Sequence, residues 1–472
     1  MNSKNSLISL IIYLFLLSST IINYMLGITF ERSNNIIIAI VFAYLICIFY
    51  SLKKISERMG LLILSTSIFL FQVSRSFVRM ISGEQLEQYF TYEQVFNTLN
   101  IIFISFIGLI LGYIIIGSHN KKREVLCNSI NNEKYLNVAK FIYYISLPFA
   151  FFEIIMKIKF VLTNGYLNYY TSFSLPLIVS KFSDFYLASF IILLALLPKL
   201  NRITKEIKIF ILYCILSLFS GQRNTFIIPI LFIVWYFSYR DMLNLDKSKI
   251  ITKKFLVICG LSIIIIIPTF IFIGDLRMGE SGQAIFKRFF NFFDELGSSN
   301  HVLLRTLAIE DVINQNDRIK FLFYPIKNLI NSNIISQLIF NTKIYQQQTV
   351  EYALNTFNYG AYHTYICDPV YYLSGGGFGS SYLAEAYLAL GKLGVFIISI
   401  LYSFYIKLAS KIKYKNWMLR SIVFFSIYGL FFSPRDLALQ FLVFGFNITN
   451  ILTILIVFFV GNISIDKFKR IY

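Results

Sequence analysis

The chain has 472 residues, of which 57% are hydrophobic and 14% are charged. A soluble domain carries about 25% charged residues, so this composition excludes an ordinary soluble protein and indicates a chain that lies mostly in lipid. The formal net charge of +19 could suggest a nucleic-acid partner, but no basic patch is interleaved with aromatic residues, and positive charge also marks the cytoplasmic loops of membrane proteins.

Apolar segments recur along the whole chain. The first, residues 6–26, is too long for a signal-peptide core and has no small-residue cleavage site, so we expect an uncleaved helix. A transmembrane helix needs about 20 mostly apolar residues, and we predict about 12 such helices. They lie near residues 6–26, 35–52, 60–78, 98–117, 138–156, 183–199, 207–221, 224–239, 255–274, 381–408, 417–433 and 437–461. These segments predict an all-α polytopic integral membrane protein.

Basic residues predict the orientation of these helices in the membrane. A cluster of Lys and Arg follows every even-numbered helix, beginning with Lys53, Lys54 and Arg58 after the second. The loops after the odd-numbered helices are poorer in basic residues. Because Lys and Arg concentrate in cytoplasmic loops, both termini are expected to be cytoplasmic.

One loop on the external side is far longer than an ordinary connection. It spans residues 275–380 and is rich in Phe, Tyr, Leu and Ile, so we expect it to be folded rather than disordered. Its stretch "AIFKRFFNFFDEL" places four Phe residues on one face of an amphipathic helix that would lie along the membrane surface. We therefore divide the chain into a membrane domain at 1–274, this loop, and a second membrane domain at 381–472.

Five arginines lie at the predicted outer ends of helices, where the positive-inside rule does not expect them. Guanidinium groups bind phosphate oxygens in a bidentate manner, so these residues could hold a pyrophosphate. The alternative is that they reach lipid headgroups or pair with neighbouring carboxylates. They are Arg75 and Arg79 at the end of the third helix, Arg223 in the turn "SGQRN", Arg277 after the ninth helix, and Arg435 in the turn "SPRD".

Three residues at the end of the long loop and just beyond it are candidates for proton transfer. His363 and Asp368 lie in the stretch "YHTYICDP". Glu385 follows in an otherwise apolar helix, where an ionisable side chain is costly and indicates a functional role. His301 is a further candidate. The alternatives are a surface role for the histidines and a salt bridge from Glu385 to an arginine at the outer rim.

The stretch "GGGFGSSYLAEAYLALGKLG", residues 375–394, passes from a run of glycines into a helix. Glycines let the backbone approach a ligand closely, and the N–H groups of Gly379, Ser380 and Ser381 would open the helix, where its dipole favours an anion. No Gly-Lys-Ser/Thr follows, so this is not a P-loop. The small residues further on also suit close helix packing.

The sequence indicates neither a cofactor nor a metal site. The five cysteines form no disulfide framework and have no zinc-site spacing, and the external segments contain no Asp-x-Asp cluster. Arginine side chains, rather than a metal ion, are therefore expected to meet any phosphate group.

Three motifs together resemble the Wzy family, the O-antigen and capsular repeat-unit polymerases of bacteria. The first is the "GQR" turn, and the second is "SPRDLAL", which has Pro434 before the arginine and lacks the glycine of the family's Arg-Gly-Asp-Leu. The third is the glycine-to-Ala-Glu pattern, which matches at Gly377, Gly379, Ser380, Ser381, Ala384, Glu385, Tyr387, Gly391 and Gly394. The arrangement of helices around one large external loop is similar to the family over nearly the whole chain.

The resemblance implies a GT-C-like fold and a glycosyl transfer at the outer face of the bacterial cytoplasmic membrane, without a metal. Donor and acceptor would be glycans on undecaprenyl pyrophosphate, and a flippase and a chain-length-determining co-polymerase would be partners. The residues implied in pyrophosphate binding are Arg223, Arg277 and Arg435 with Gly379, Ser380 and Ser381, and those implied as base or orienting group are His363, Asp368 and Glu385.

Two other functions fit part of the pattern. A lipid-linked oligosaccharide flippase or other transporter would also have about 12 helices, but it would place polar residues deep in its spans and have short loops on both sides. An O-antigen ligase would join the glycan to a lipid core instead of lengthening it. The sugar, the linkage, the anomeric outcome, the choice between O-antigen and capsule, and the oligomeric state are left open.

Overall fold

The computed structural model describes residues 3–115, 133–165, 168–221, 224–252, 285–331, 341–411 and 416–469, with isolated residues between 254 and 268 and at 339. Within these ranges every regular element is a helix. In chain order they are α1 (Ser3–Thr29), α2 (Ser33–Leu52), α3 (Ile55–Ile68), α4 (Ser74–Ser82), α5 (Tyr92–Ile115), α6 (Glu133–Asn164), α7 (Asn168–Ser172), α8 (Leu177–Ala195), α9 (Thr204–Ser217), α10 (Asn224–Leu243), α11 (Ile285–Gly297), α12 (His301–Ile309), α13 (Gln315–Asn331), α14 (Val350–Asn355), α15 (Tyr359–Cys367), α16 (Pro369–Leu373), α17 (Tyr382–Lys411), α18 (Trp417–Leu430), α19 (Gln440–Phe446) and α20 (Ile448–Lys469). A π-helical turn at Phe69–Val73 joins α3 to α4.

Eight helical segments in the described ranges are long and apolar enough to cross a membrane. They are Leu7–Thr29, Ser33–Leu52, Ile55–Ser82, Tyr92–Ile115, Leu177–Ala195, Asn224–Leu243, Tyr382–Ser410 and Gln440–Ile463. This finding confirms an all-α fold that suits a polytopic membrane protein. The predicted number of about 12 spans stays a prediction, because the ninth segment, residues 255–274, lies almost wholly outside the described residues.

Close packing between α5 and α17 forms the centre of the bundle. A Cβ added at Gly112 would lie 2.6 Å from the carbonyl oxygen of Ile400, and one added at Gly108 would lie 2.8 Å from that of Phe396. Only glycine lets the two backbones approach this closely. At the edge of the bundle, α1 exposes apolar side chains such as Leu14 and Phe15, and such a surface suits contact with lipid.

The helix α17 is broken in its N-terminal half. Leu390 and Gly391 leave the helical conformation, and Gly391 has φ 62° and ψ −150°, a region that side chains other than glycine avoid. A Cβ at Gly391 would meet no atom within 4 Å. Of the small residues that suit close helix packing, Gly391 therefore makes no such contact, and it breaks the helix between residues 382–389 and the rest of the span.

The long loop folds into short helices that pack on the ends of the membrane helices. Ser74 donates a hydrogen bond to the Phe293 carbonyl on α11 at 2.8 Å, and Tyr387 on α17 donates to Glu310, which follows α12, at 3.1 Å. The expected amphipathic helix is present as α11, and it buries Phe292 against the bundle while Phe289 stays exposed. The described part of the loop is therefore a folded cap on one end of the bundle.

Candidate functional site

Three backbone segments meet beneath this cap, and we call the place where they meet the three-loop site. They are the π-helical turn Phe69–Val73, the loop at residues 375–381 and the turn Ser433–Arg435. Gln72 joins them, because its Nε2 donates to the Pro434 carbonyl at 2.5 Å and to the Ser381 Oγ at 3.3 Å. The Gln72 side chain is fully buried. π-Helical turns often occur at functional sites, since they redirect a side chain out of the regular helical pattern.

Glu385 connects the loop at 375–381 to the chain beyond Arg435. Its Oε1 accepts a hydrogen bond from the Ser380 hydroxyl at 2.6 Å, and its Oε2 accepts one from the Ala438 N–H at 2.9 Å. The residue is fully buried, and no basic side chain in the described ranges forms an ion pair with it. Neutral donors, rather than the arginine of the alternative interpretation, therefore hold this carboxylate in place.

The loop at 375–381 leaves backbone donors available. The N–H groups of Gly379, Ser380 and Ser381 make no hydrogen bond in the described part of the chain. Gly379 has a left-handed φ of 79° and is exposed. Its carbonyl lies against Gly360, where an added Cβ would be only 3.1 Å away. The loop is thus fixed on α15 with successive donors at the start of α17, an arrangement that suits an anion.

An arginine that the sequence analysis did not select lies beside the same loop. The guanidinium carbon of Arg305, on α12, is 3.6 Å from the centre of the Phe378 ring. In the described ranges Arg305 forms neither an ion pair nor a hydrogen bond. Burial lowers the pKa of this half-buried guanidinium from its usual value, while Asp368 and Glu87 act on it through space. A cation held on an aromatic face without a carboxylate partner is available to an anionic ligand.

His363 also packs near Phe378, with the ring centroids 5.8 Å apart, and Asp368 follows it in the chain. His363 is fully buried, and its Nδ1 is 2.9 Å from the Tyr359 carbonyl. A carbonyl only accepts, so Nδ1 carries the proton and Nε2 is an unpartnered acceptor. Burial lowers the pKa of His363 to about 4, so the ring is neutral at pH 7. Asp368 caps α16 by accepting from the Tyr371 N–H at 2.9 Å.

The other arginines and the other histidine that the sequence indicated fall into three groups. Some form ion pairs, one lies within the three-loop site, and two lie outside the described residues. Arg75 and Arg79 both form ion pairs with Glu87 and Asp294, and His301 lies 2.9 Å from Glu87. The two arginines therefore connect the third span to α11. Arg435 is exposed beside the Phe71 ring at 5.9 Å, within the three-loop site. Arg223 and Arg277 lie outside the described residues.

Asp436 adds an ionisable group to the three-loop site. Its side chain is half-buried, and burial raises its pKa to about 7. It is near enough to Glu385 to act on that carboxylate through space. Among the described residues no cluster of three or more His, Cys, Asp or Glu side chains could hold a metal ion. The site thus combines backbone donors, arginines and carboxylates.

Comparison with known proteins decides the family. The family model described as O-antigen polysaccharide polymerase Wzy matches residues 7–467. The chain belongs to the Wzy family. It is therefore a multi-pass membrane protein that polymerises oligosaccharide repeat units carried on lipid, a glycosyltransferase-like activity. No curated protein and no solved structure matches the chain.

Two residues of this Wzy protein could have been noticed in the sequence. Gln72 is a polar residue within an apolar span, in "SIFLFQVSR", and Arg305 is a single cation in the apolar stretch "HVLLRTLAI". Placing a polar or charged side chain among apolar residues costs free energy, so each pattern indicates a functional role for that residue. Their partners could not be read from the sequence, because Ser381 and Pro434 are 309 and 362 residues away from Gln72.

Proposed function

We propose that this Wzy protein extends a glycan at the outer face of the bacterial cytoplasmic membrane. The donor is a growing glycan on undecaprenyl pyrophosphate, and the acceptor is one repeat unit on the same carrier. A hydroxyl oxygen of the acceptor forms a bond to the anomeric carbon of the donor. The bond from that carbon to the pyrophosphate oxygen breaks, the lipid pyrophosphate leaves, and the hydroxyl proton passes to a base.

Groups that can bind an anion converge around the loop at 375–381. This observation supports placing the reaction there. The N–H groups of Gly379, Ser380 and Ser381 lack partners in the described ranges, Arg305 lies beside this loop, and Arg435 belongs to the neighbouring turn. Such donors stabilise the charge that develops on a leaving pyrophosphate. We place Arg223 and Arg277 in the same role from the sequence alone.

Positive side chains can supply this stabilisation without a metal ion. Guanidinium forks match the oxygens of a diphosphate and keep their charge at any physiological pH. The reaction is accordingly proposed to be metal-independent. Polymerisation by the purified protein in the presence of EDTA tests this point, and a loss of activity that Mg²⁺ or Mn²⁺ restores would contradict it.

For proton transfer we assign different roles to two carboxylates. Both oxygens of Glu385 are occupied by donors from Ser380 and Ala438, and the side chain is buried, so it suits a positioning role. Asp436 is half-buried with a pKa near 7, and these properties suit a general base. His363, buried between aromatic rings, and Asp368, which caps a helix, remain candidates from the sequence.

The proposed orientation places both termini in the cytoplasm and residues 275–380 outside, between the membrane domains at 1–274 and 381–472. It is supported by the basic clusters that follow the even-numbered predicted helices. A flippase would deliver the lipid-linked repeat unit to the outer face, and a chain-length-determining co-polymerase would limit the product. That product is O-antigen or capsular polysaccharide.

Deletion of the gene, followed by profiling of the surface glycan, tests the proposal. A polymerase deletion leaves a single repeat unit on the final acceptor, and the intact gene restores the ladder of longer chains. A ligase deletion would instead accumulate long polymer on undecaprenyl pyrophosphate. A flippase deletion would leave no repeat units outside. Either of these last two results would contradict the proposed reaction.

A further inference from the structure

A cavity lined by both polar and apolar groups lies at the same end of the bundle as the three-loop site. Its volume is about 570 Å³, and it opens between the turn that joins α1 to α2 and the segment that joins α4 to α5. Three side-chain amides, two aromatic rings and one arginine line it, and none of them belongs to the three-loop site. They are Asn34, Asn35, Gln85, Phe90, Tyr92 and Arg32.

The side-chain amides of this cavity are available to a ligand. The side-chain amides of Asn34, Asn35 and Gln85 make no hydrogen bond in the described part of the chain. Asn34 and Gln85 are exposed, so their amides are accessible to a ligand that enters the cavity.

The aromatic wall is held in place. The Tyr92 hydroxyl donates to the Glu31 carbonyl and accepts from the Ser33 N–H at 3.2 Å. The residue nevertheless stays 56% exposed. A fixed and accessible aromatic face next to amides provides the two contacts that a sugar ring uses, namely C–H groups on an aromatic ring and hydroxyls on planar donor–acceptor groups.

The charges at the cavity exclude a pyrophosphate as its occupant. Glu87 lines the cavity and is already bound by Arg75 and Arg79. Among the described residues of the lining, Arg32 is the one further charged side chain. A diphosphate would need several cations. Sugar hydroxyls and N-acetyl groups need mainly amides, which the cavity supplies.

The cavity also connects to the proposed reaction site. His301 contacts both Glu87 and the Phe90 ring, the latter at a centroid distance of 5.5 Å. His301 begins α12, and Arg305 follows one turn later on the same face of that helix. A chain of sugars could therefore extend from Arg305 across His301 into the cavity.

We propose that this cavity is an oligosaccharide subsite that holds sugars of the lipid-linked glycan away from the reacting end. The inference rests on the proposed function and adds a binding place for the substrate that the three-loop site does not provide. By holding the glycan between additions, the subsite would favour repeated extension over release and so lengthen the product.

Binding by the purified protein in lipid nanodiscs tests the subsite. The probe is the repeat-unit oligosaccharide released by mild acid from the polymerase-deletion strain, and its affinity is measured by calorimetry. Gln85→Ala and the double variant Asn34→Ala/Asn35→Ala should each weaken binding by about tenfold, as expected for one lost hydrogen bond or slightly more. Gln88→Ala is the matched control, because Gln88 lies on the same segment, is exposed and does not line the cavity.

The same variants, returned to the deletion strain at equal protein level, should shift the glycan ladder to shorter chains while the first linkages still form. Wild-type affinity in both cavity variants, or an equal loss in Gln88→Ala, would overturn the subsite. A gene deletion that leaves the ladder unchanged would instead overturn the proposed function. Gln85 is exposed, so its replacement keeps the test valid if the double variant folds poorly.

Discussion

Arg305 lies with its guanidinium carbon 3.6 Å from the centre of the Phe378 ring, although the two residues belong to different parts of the long loop. Phe378 is fixed in turn, because its N–H donates to the Thr364 hydroxyl at 3.1 Å and its ring stacks on that of Tyr371. Within the described residues the arginine is thus positioned by an aromatic ring, and no carboxylate forms an ion pair with it. That arrangement leaves its hydrogen-bond donors for a substrate.

We expect Arg305→Ala to lower the polymerisation rate by about 100-fold, as for the loss of one charge-stabilising donor. Arg305→Lys should recover part of the rate, since lysine keeps the charge but not the bidentate fork. The measurement is extension of a purified lipid-linked repeat unit on a gel. Lys320→Ala, at an exposed position that pairs with Asp317, is the control. Equal rates for Arg305→Ala and the control would remove Arg305 from the site.

The proposed base predicts a specific pH dependence. Burial raises the pKa of Asp436 to about 7, and a base must be deprotonated, so the rate should rise with pH through about 7 and then level off. Asp436→Asn should abolish this rise and lower the rate by about 100-fold or more. Asp311→Asn, at an exposed carboxylate of the long loop, should change neither. A full rate in Asp436→Asn at pH 8 would exclude Asp436 as the base.

Glu385 should behave as a positioning residue. Glu385→Ala removes the acceptor of the Ala438 N–H and leaves that buried donor unsatisfied, which costs about 1–3 kcal/mol of unfolding free energy. Glu385→Gln keeps the shape and should retain more of the stability. Its rate should fall while the midpoint of the pH profile stays near that of the wild type. Loss of the pH dependence in Glu385→Gln would instead identify Glu385 as the base.

The break in α17 depends on one glycine. Gly391→Ala forces an alanine into a backbone region that costs about 1–3 kcal/mol, so the melting temperature in detergent should fall. Gly377→Ala is a matched control for backbone strain, because an added Cβ there meets no atom within 4 Å and its φ is not left-handed. Equal melting temperatures for the two variants would show that the break is not needed for stability.

His363 predicts a pH dependence of stability with a definite sign. Its folded pKa of about 4 lies below the usual 6.5, so the unfolded chain binds more protons between these values. Stability should therefore fall as the pH drops from about 6.5 towards about 4, by roughly 3 kcal/mol in all. His363→Phe should remove this slope and keep the rate at pH 7. A variant that is stable but inactive would instead support His363 as a catalytic residue.

The sequence determined that this is an all-α membrane protein, because that class depends on properties that are local in the chain. Runs of apolar residues predicted membrane helices, and the aromatic content of the long loop predicted a folded cap. The glycine-to-Ala-Glu stretch predicted a helix start with available N–H groups, and the described residues show it at Ser381 and Tyr382. Each of these predictions needs only residues that are close together in the chain.

Only the tertiary structure decided which charged side chains are available to bind a substrate. Arg75 and Arg305 both lie in mostly apolar stretches, yet Glu87 and Asp294 pair with Arg75, while among the described residues Arg305 contacts the Phe378 ring and no carboxylate. The same holds for Glu385, which meets the Ala438 N–H 53 residues away. Electrostatic pairing depends on distance in space, and helix packing sets that distance between segments that the sequence separates.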